Sequence, residues 1–165
     1  RYDRTFMEAF FRPGLDRANW VSRNNMAACG VVQTGPAEMS LYYSQHYAQP
    51  SHHLIRASLR LDGFASVRAG YAGGQMTTRV FTFAGSKLTL NMATSAAGNI
   101  RVEMQDDKGN PLPGRTLEDC DGIFGDEIER GVTWKGSPDV SSAAGQPIRL
   151  RFELKDADLY SLEFR

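Results

Sequence analysis

Apolar and polar residues alternate along five stretches of this chain. Ile148, Leu150, Phe152 and Leu154 alternate with Arg149, Arg151, Glu153 and Lys155, a period of two that puts one row in a core and the other in water. The same spacing runs through Leu88, Leu90 and Met92 against Lys87, Thr89 and Asn91, and through Ile100, Val102 and Met104 against Arg101, Glu103 and Gln105. Two further stretches follow the pattern: Ile128, Val132 and Trp134 against Glu127, Glu129, Thr133 and Lys135, and Tyr160, Leu162 and Phe164 against Ser161, Glu163 and Arg165. Each predicts a strand with one buried face. Turn chemistry separates the runs, at Ala72-Gly73-Gly74, Gly85-Ser86, Ala97-Gly98, Lys108-Gly109-Asn110-Pro111 and Ala144-Gly145. Strands and turns at this spacing predict an all-β chain whose larger part, 62–165, is a β-sandwich of antiparallel strands. The acidic stretch Leu117 to Asp126 lacks alternation and is expected to be a long loop with a helical turn.

The character of the chain changes near Leu61. All three histidines (His46, His52, His53) and the irregular segments Arg12-Pro13-Gly14 and Thr34-Gly35-Pro36 lie before it. Strands are expected near Gly30 to Gln33, Glu38 to Gln45 and Leu54 to Leu61, with Met39, Leu41 and Tyr43 facing away from Ser40, Tyr42 and Ser44. They make part of a meander and not a closed domain. The division predicted is 1–61 and 62–165.

Composition narrows the partners. Lys plus Arg and Asp plus Glu both number 19, so the chain has no basic field to gather nucleic acid or anionic lipid. No apolar run approaches the roughly 20 residues that span a bilayer, and no signal pattern opens the chain, so a soluble piece with neither nucleic-acid nor membrane partners is expected. A start at Arg1 without Met suggests a part of something longer, which leaves localisation open and allows export of the parent. Cys29 and Cys120 are far apart, and free packed thiols are expected in preference to a disulfide.

Several segments together carry a resemblance: Leu59 to Phe64 (Leu-Arg-Leu-Asp-Gly-Phe), Ser95-Ala96-Ala97-Gly98, Gly125-Asp126-Glu127-Ile128, Trp134-Lys135-Gly136 and Lys155 to Tyr160 (Lys-Asp-Ala-Asp-Leu-Tyr). They resemble the C-terminal end of bacterial proteins related to glycoside hydrolase family 32, the invertases and fructanases. The resemblance implies that 1–61 is part of the last blade of a five-bladed β-propeller and that 62–165 is the sandwich behind it. It implies that the catalytic propeller of the same parent chain is the partner. The family's catalytic carboxylates belong to earlier blades: this chain has no Arg-Asp-Pro, and Glu118-Asp119-Cys120 lies in the sandwich part and is not the family's Glu-Cys dipeptide. Retaining hydrolysis needs two carboxylates about 5 Å apart in one pocket, and one truncated blade is poorly placed to supply both. No catalytic residue is therefore assigned, and the isolated chain is expected to be inactive.

Three clusters remain as candidate chemistry. Tyr42, Tyr43, His46, Tyr47, Gln49, His52 and His53 offer rings and hydrogen-bonding groups suited to sugars. Of these, Tyr42, His46, Tyr47 and Gln49, with Asn24 and Asn25 just before an expected strand, are the candidate carbohydrate-binding residues. They serve either a binding module that takes a polysaccharide at loop ends or the rim of a glycosidase pocket; the competing expectation is ordinary half-buried tyrosines and turn asparagines. His52 and His53 are adjacent in the chain and point to opposite faces of a strand, so no shared metal ion, and no cofactor, is expected. Asp119, Asp121, Asp126 and Glu127 lack the spacing of a calcium loop and are expected to be a solvated face. The outward strand rows carry charges and no aromatic ring, which argues against a flat stacking platform, while Trp134 and Tyr160 fall on apolar rows and are expected in the core.

Overall fold

The structure, a computed structural model, describes residues 7–22 and 25–165. It is all-β: strands joined by turns and two short 3-10 turns, Arg17–Asn19 and Ser141–Ala143, with every strand pairing antiparallel. The chain forms two compact units, 1–61 and 62–165.

In the first unit β1 (Val32–Gly35), β2 (Glu38–Gln45) and β3 (His53–Arg60) form a meander in the order β1-β2-β3. The β2–β3 register runs unbroken from Glu38 opposite Arg60 to Gln45 opposite His53. Residues 25–28 extend the line of β1, since Ala27 bridges to Tyr43 and Ala28 N–H donates to the Tyr42 carbonyl at 2.8 Å. Gly30, at φ 93°, breaks the two segments where a left-handed residue is needed. Met39 and Leu41 are buried as alternation predicts. Ser40 is buried too, because its hydroxyl joins Thr34, Glu38 and Arg56 in one network on the opposite face.

The second unit is built on two long strands, β6 (Leu88–Asp106) and β8 (Ile148–Phe164). They pair from Leu88 opposite Phe164 to Asp106 opposite Ile148. β4 (Val67–Ala69) and β5 (Gly74–Thr77) flank β8, and β7 (Asp126–Gly131) flanks β6. Halfway along, four residues of β6, Ser95 to Gly98, bulge opposite Asp156, which sits at φ 43°. Bulges bend strands, and on either side of this one the ribbon takes different neighbours: β4 beside Ala157–Leu159, β5 beside Arg151–Leu154. Leu88, Leu90 and Met92 from one half and Ile100, Val102, Met104, Leu150 and Phe152 from the other then share one buried cluster with Val132 and Trp134. Sheet faces turned onto a common core in this way are consistent with a β-sandwich. Trp134 donates its indole N–H to the Val102 carbonyl at 2.9 Å, so the ring is buried without leaving its donor unpaired.

Three outward positions and one inward position depart from simple alternation. Asn91, Glu103 and Gln105, expected in water, are buried. Glu103 is held there by Leu117 N–H (3.3 Å) from the 111–119 loop and by the Gln105 amide (2.8 Å). Tyr160, expected in the core, is only half-buried. It is the extra residue of a second bulge, between Leu159 opposite Met92 and Ser161 opposite Asn91. Each bulge reverses which residues face inward. The inward row is therefore even-numbered to Leu154, odd-numbered at Ala157 and Leu159, and even-numbered again at Leu162 and Phe164. Cys29 is exposed and Cys120 buried, and both are free thiols.

Candidate functional site

The tyrosine and histidine cluster gathers at the β2–β3 hairpin end, residues 46–52. His46 stands at its start in a left-handed conformation, φ 54°. Asp16 caps the Arg17–Asn19 turn through Ala18 N–H (2.9 Å) with one carboxylate oxygen and holds His46 Nε2 (2.9 Å) with the other. Those two bonds, the backbone one first, hold the Asp16 carboxyl below its ordinary value. Asn19, buried, accepts the His46 backbone N–H (3.1 Å) on Oδ1 and donates its amide to the Pro13 carbonyl (3.2 Å). On the other side of the ring, Nδ1 lies 2.8 Å from the Ser51 hydroxyl oxygen. This Ser–His–carboxylate string has the connectivity that activates serine nucleophiles, but here it ties the 16–19 turn to the hairpin end and commits both ring nitrogens.

The other members divide between two ring pairs. His53 meets His46 edge-on at 4.9 Å, and His52 meets Tyr47 at 5.8 Å, so the adjacent histidines do diverge. Gln49 is exposed, its backbone N–H bonded to the His46 carbonyl. Tyr42 is exposed on β2, whereas Tyr43, on the other face, stacks on Phe11 at 4.2 Å. Asn25 sits at φ 57°, its backbone N–H on the Ser44 carbonyl; Asn24 lies outside the described residues. The structure thus brings His46, Tyr47 and Gln49 to one hairpin end, with Tyr42 on the adjoining strand.

The acidic loop is organised by its own neighbours. Asp119 pairs with Lys135 at 2.5 Å, Asp121 accepts from the Thr133 hydroxyl (2.5 Å) and Gly136 N–H (2.8 Å), and Glu127 pairs with Arg130 at 3.0 Å. These bonds, from Lys135 and from Thr133 respectively, depress the Asp119 and Asp121 carboxyls. Among the described residues no group of three or more His, Cys, Asp or Glu is arranged to hold a metal ion.

A concave feature lies wholly within the 62–165 unit. On the polar side of β5, β8 and β6 an open groove of about 490 Å³ is lined by Gly73, Gln75, Asn99, Arg101, Glu153 and Lys155. Arg101, Glu153 and Lys155 are members of the outward rows read from periodicity. Gln75, Asn99 and the neighbouring Tyr71 are not; Tyr71 comes from the turn before β5, and only pairing of distant strands brings it beside Lys155. The local signal was an aromatic residue next to Ala72-Gly73-Gly74, which by itself indicates only a turn.

No family model, curated protein or solved structure matches this chain.

Proposed function

We propose that this chain is the non-catalytic C-terminal region of a glycosidase-like protein, in which 1–61 completes part of a β-propeller blade and the 62–165 sandwich supports that catalytic propeller. One observation carries the reading. Among the described residues, nine of the fourteen exposed large apolar side chains belong to the smaller unit, among them Leu15, Trp20, Val31, Val32 and Leu54, while the larger unit closes over its own core. Exposed apolar side chains in this number on the smaller unit are what contact with neighbouring protein would cover. Among the described residues its antiparallel meander has three strands, against the four of a propeller blade, with β1 and β3 as edges. An edge strand and an apolar surface both call for neighbouring protein, which upstream blades of a parent chain supply.

Two measurements test this. The purified chain, incubated with sucrose, inulin and levan, is expected to release no reducing sugar above blank; turnover would overturn the non-catalytic role. It is also expected to self-associate and to bind an apolar dye, both reduced in a Val32→Thr/Leu54→Thr variant that keeps its β-sheet circular dichroism. A monodisperse monomer that binds no dye would remove the basis for an apolar docking face.

A further inference from the structure

The polar side of the sandwich sheet is closed at one end and open at the other. Towards Glu103 it is sealed by the loop that supplies Leu117 N–H, leaving the Glu103 side chain 4% exposed. Towards Asn99 it opens into the groove of about 490 Å³, a size within the range of small-molecule sites. Gly73, in a left-handed turn at φ 82°, leaves the wall beyond β5 without a side chain.

The groove's charges are unevenly paired. Glu153 is engaged: the Gln75 side-chain amide donates to it at 2.9 Å, and Arg151, 3.6 Å away, also donates to Gln75 Oε1 at 3.1 Å, so both ends of the Gln75 amide are taken. Arg101 lies directly across the β6–β8 ladder from Glu153, yet it is exposed and has neither an ion pair nor a side-chain hydrogen bond among the described residues. Lys155 has no carboxylate partner among the described residues either; its ammonium stands 4.3 Å from the centre of the Tyr71 ring, which is 67% exposed. Asn99, opposite Lys155, has a buried Oδ1 with no donor. The site therefore offers two cations without acidic partners, an uncommitted amide and an exposed ring.

We infer that this groove binds a carboxylate-bearing saccharide, such as a uronic-acid oligosaccharide. Arg101 presents the planar fork that matches a carboxylate. The Asn99 amide, whose Oδ1 has no donor among the described residues, is left for a ring hydroxyl, and Tyr71 supplies an apolar surface of the kind that packs on a pyranose. A neutral sugar would leave both cations uncompensated, and a bare anion would make no use of the amide and the ring. A long polyanion such as nucleic acid is disfavoured because the chain's formal net charge is +0. This binding does not depend on the supporting role proposed above, since every residue involved lies within the sandwich unit.

The test is an amide NMR titration of the whole chain with trigalacturonic acid, its methyl ester and acetate. Saturable shifts at Gln75, Asn99, Arg101 and Lys155 are expected for the acid. The ester and acetate should each bind at least about tenfold more weakly, and added salt should weaken the acid. Arg101→Ala should cost about tenfold or more in affinity, and Tyr71→Ala should weaken the acid without changing acetate. Both positions are exposed, so spectra outside the groove should stay unchanged. Absence of saturable shifts would overturn the proposal, as would equal binding of the ester or unchanged affinity in Arg101→Ala.

Discussion

Adding a single methyl group at Gly98 should unfold the sandwich unit more readily than any change on its surface. A Cβ built at Gly98 would lie 2.4 Å from the Asp156 carbonyl oxygen, 2.8 Å from Thr94 Cβ and 2.9 Å from the Lys155 carbonyl oxygen. Two of the three are backbone atoms of β8 at the bulge, where the chain is already held by pairing on both sides. Overpacking where neighbours can shift costs about 1–3 kcal/mol, and here the neighbours that must give way are main chain, so Gly98→Ala belongs at about 3 kcal/mol or above. That is a large part of the 5–15 kcal/mol that holds a typical domain, and for a unit of this size it lowers the melting midpoint by about 10–20 °C. Gly131→Ala is the control: its added Cβ meets nothing within 4 Å, and its backbone is not left-handed. It should be neutral or stabilising by up to about 1 kcal/mol. Urea unfolding followed by Trp134 fluorescence reads this unit, because Trp134 is 1% exposed; Trp20 is replaced by Phe to remove the signal from the other unit. A Gly98→Ala variant within about 0.5 kcal/mol of its parent would refute the idea that close main-chain approach sets the bend.

The two thiols should behave oppositely. Burial raises the Cys120 thiol above its ordinary value, and Val102 N–H points at its sulfur, whereas Cys29 is exposed. Iodoacetamide at neutral pH should modify Cys29 in the native chain and Cys120 only after urea is added; equal labelling by mass spectrometry would contradict the buried site. Acid should weaken the sandwich through Asp119 and Asp121, whose folded carboxyls titrate below the ordinary value of 3.8. A depressed folded value means that their stabilisation is complete above the unfolded value and is lost as the pH falls through the folded one. The urea midpoint should therefore drop from about pH 5 downward, and less steeply in Asp121→Asn; identical acid slopes would remove Asp121 from that account.

Much of the strand plan is visible in the alternation. Rows such as Ile148 to Leu154 and Ile100 to Met104 need no knowledge of partners, because a period of two forces one face inward wherever the strand sits. The fate of the outward row was less legible. Arg101 and Glu103 are equivalent in the pattern, yet one is exposed beside a groove and the other is buried under the 111–119 loop. Tyr160 reads as core because two bulges, at Asp156 and at Tyr160 itself, reverse the parity twice and restore the even-numbered row beyond them. Of the hairpin residues, His46 reads as a sugar contact, whereas both its ring nitrogens are taken by Asp16, thirty positions away, and Ser51.

The amino-acid sequence by itself determines that this chain is all-β and which faces of its strands are apolar, since side-chain alternation is a local property of extended backbone. Only the tertiary structure decides where the strands bend, which polar residues are covered and which are left in a groove. Those outcomes depend on register and on loops returning from distant positions. They place Asn99, Arg101 and Lys155 around one opening with Tyr71 beside Lys155, though no short stretch of sequence contains them together.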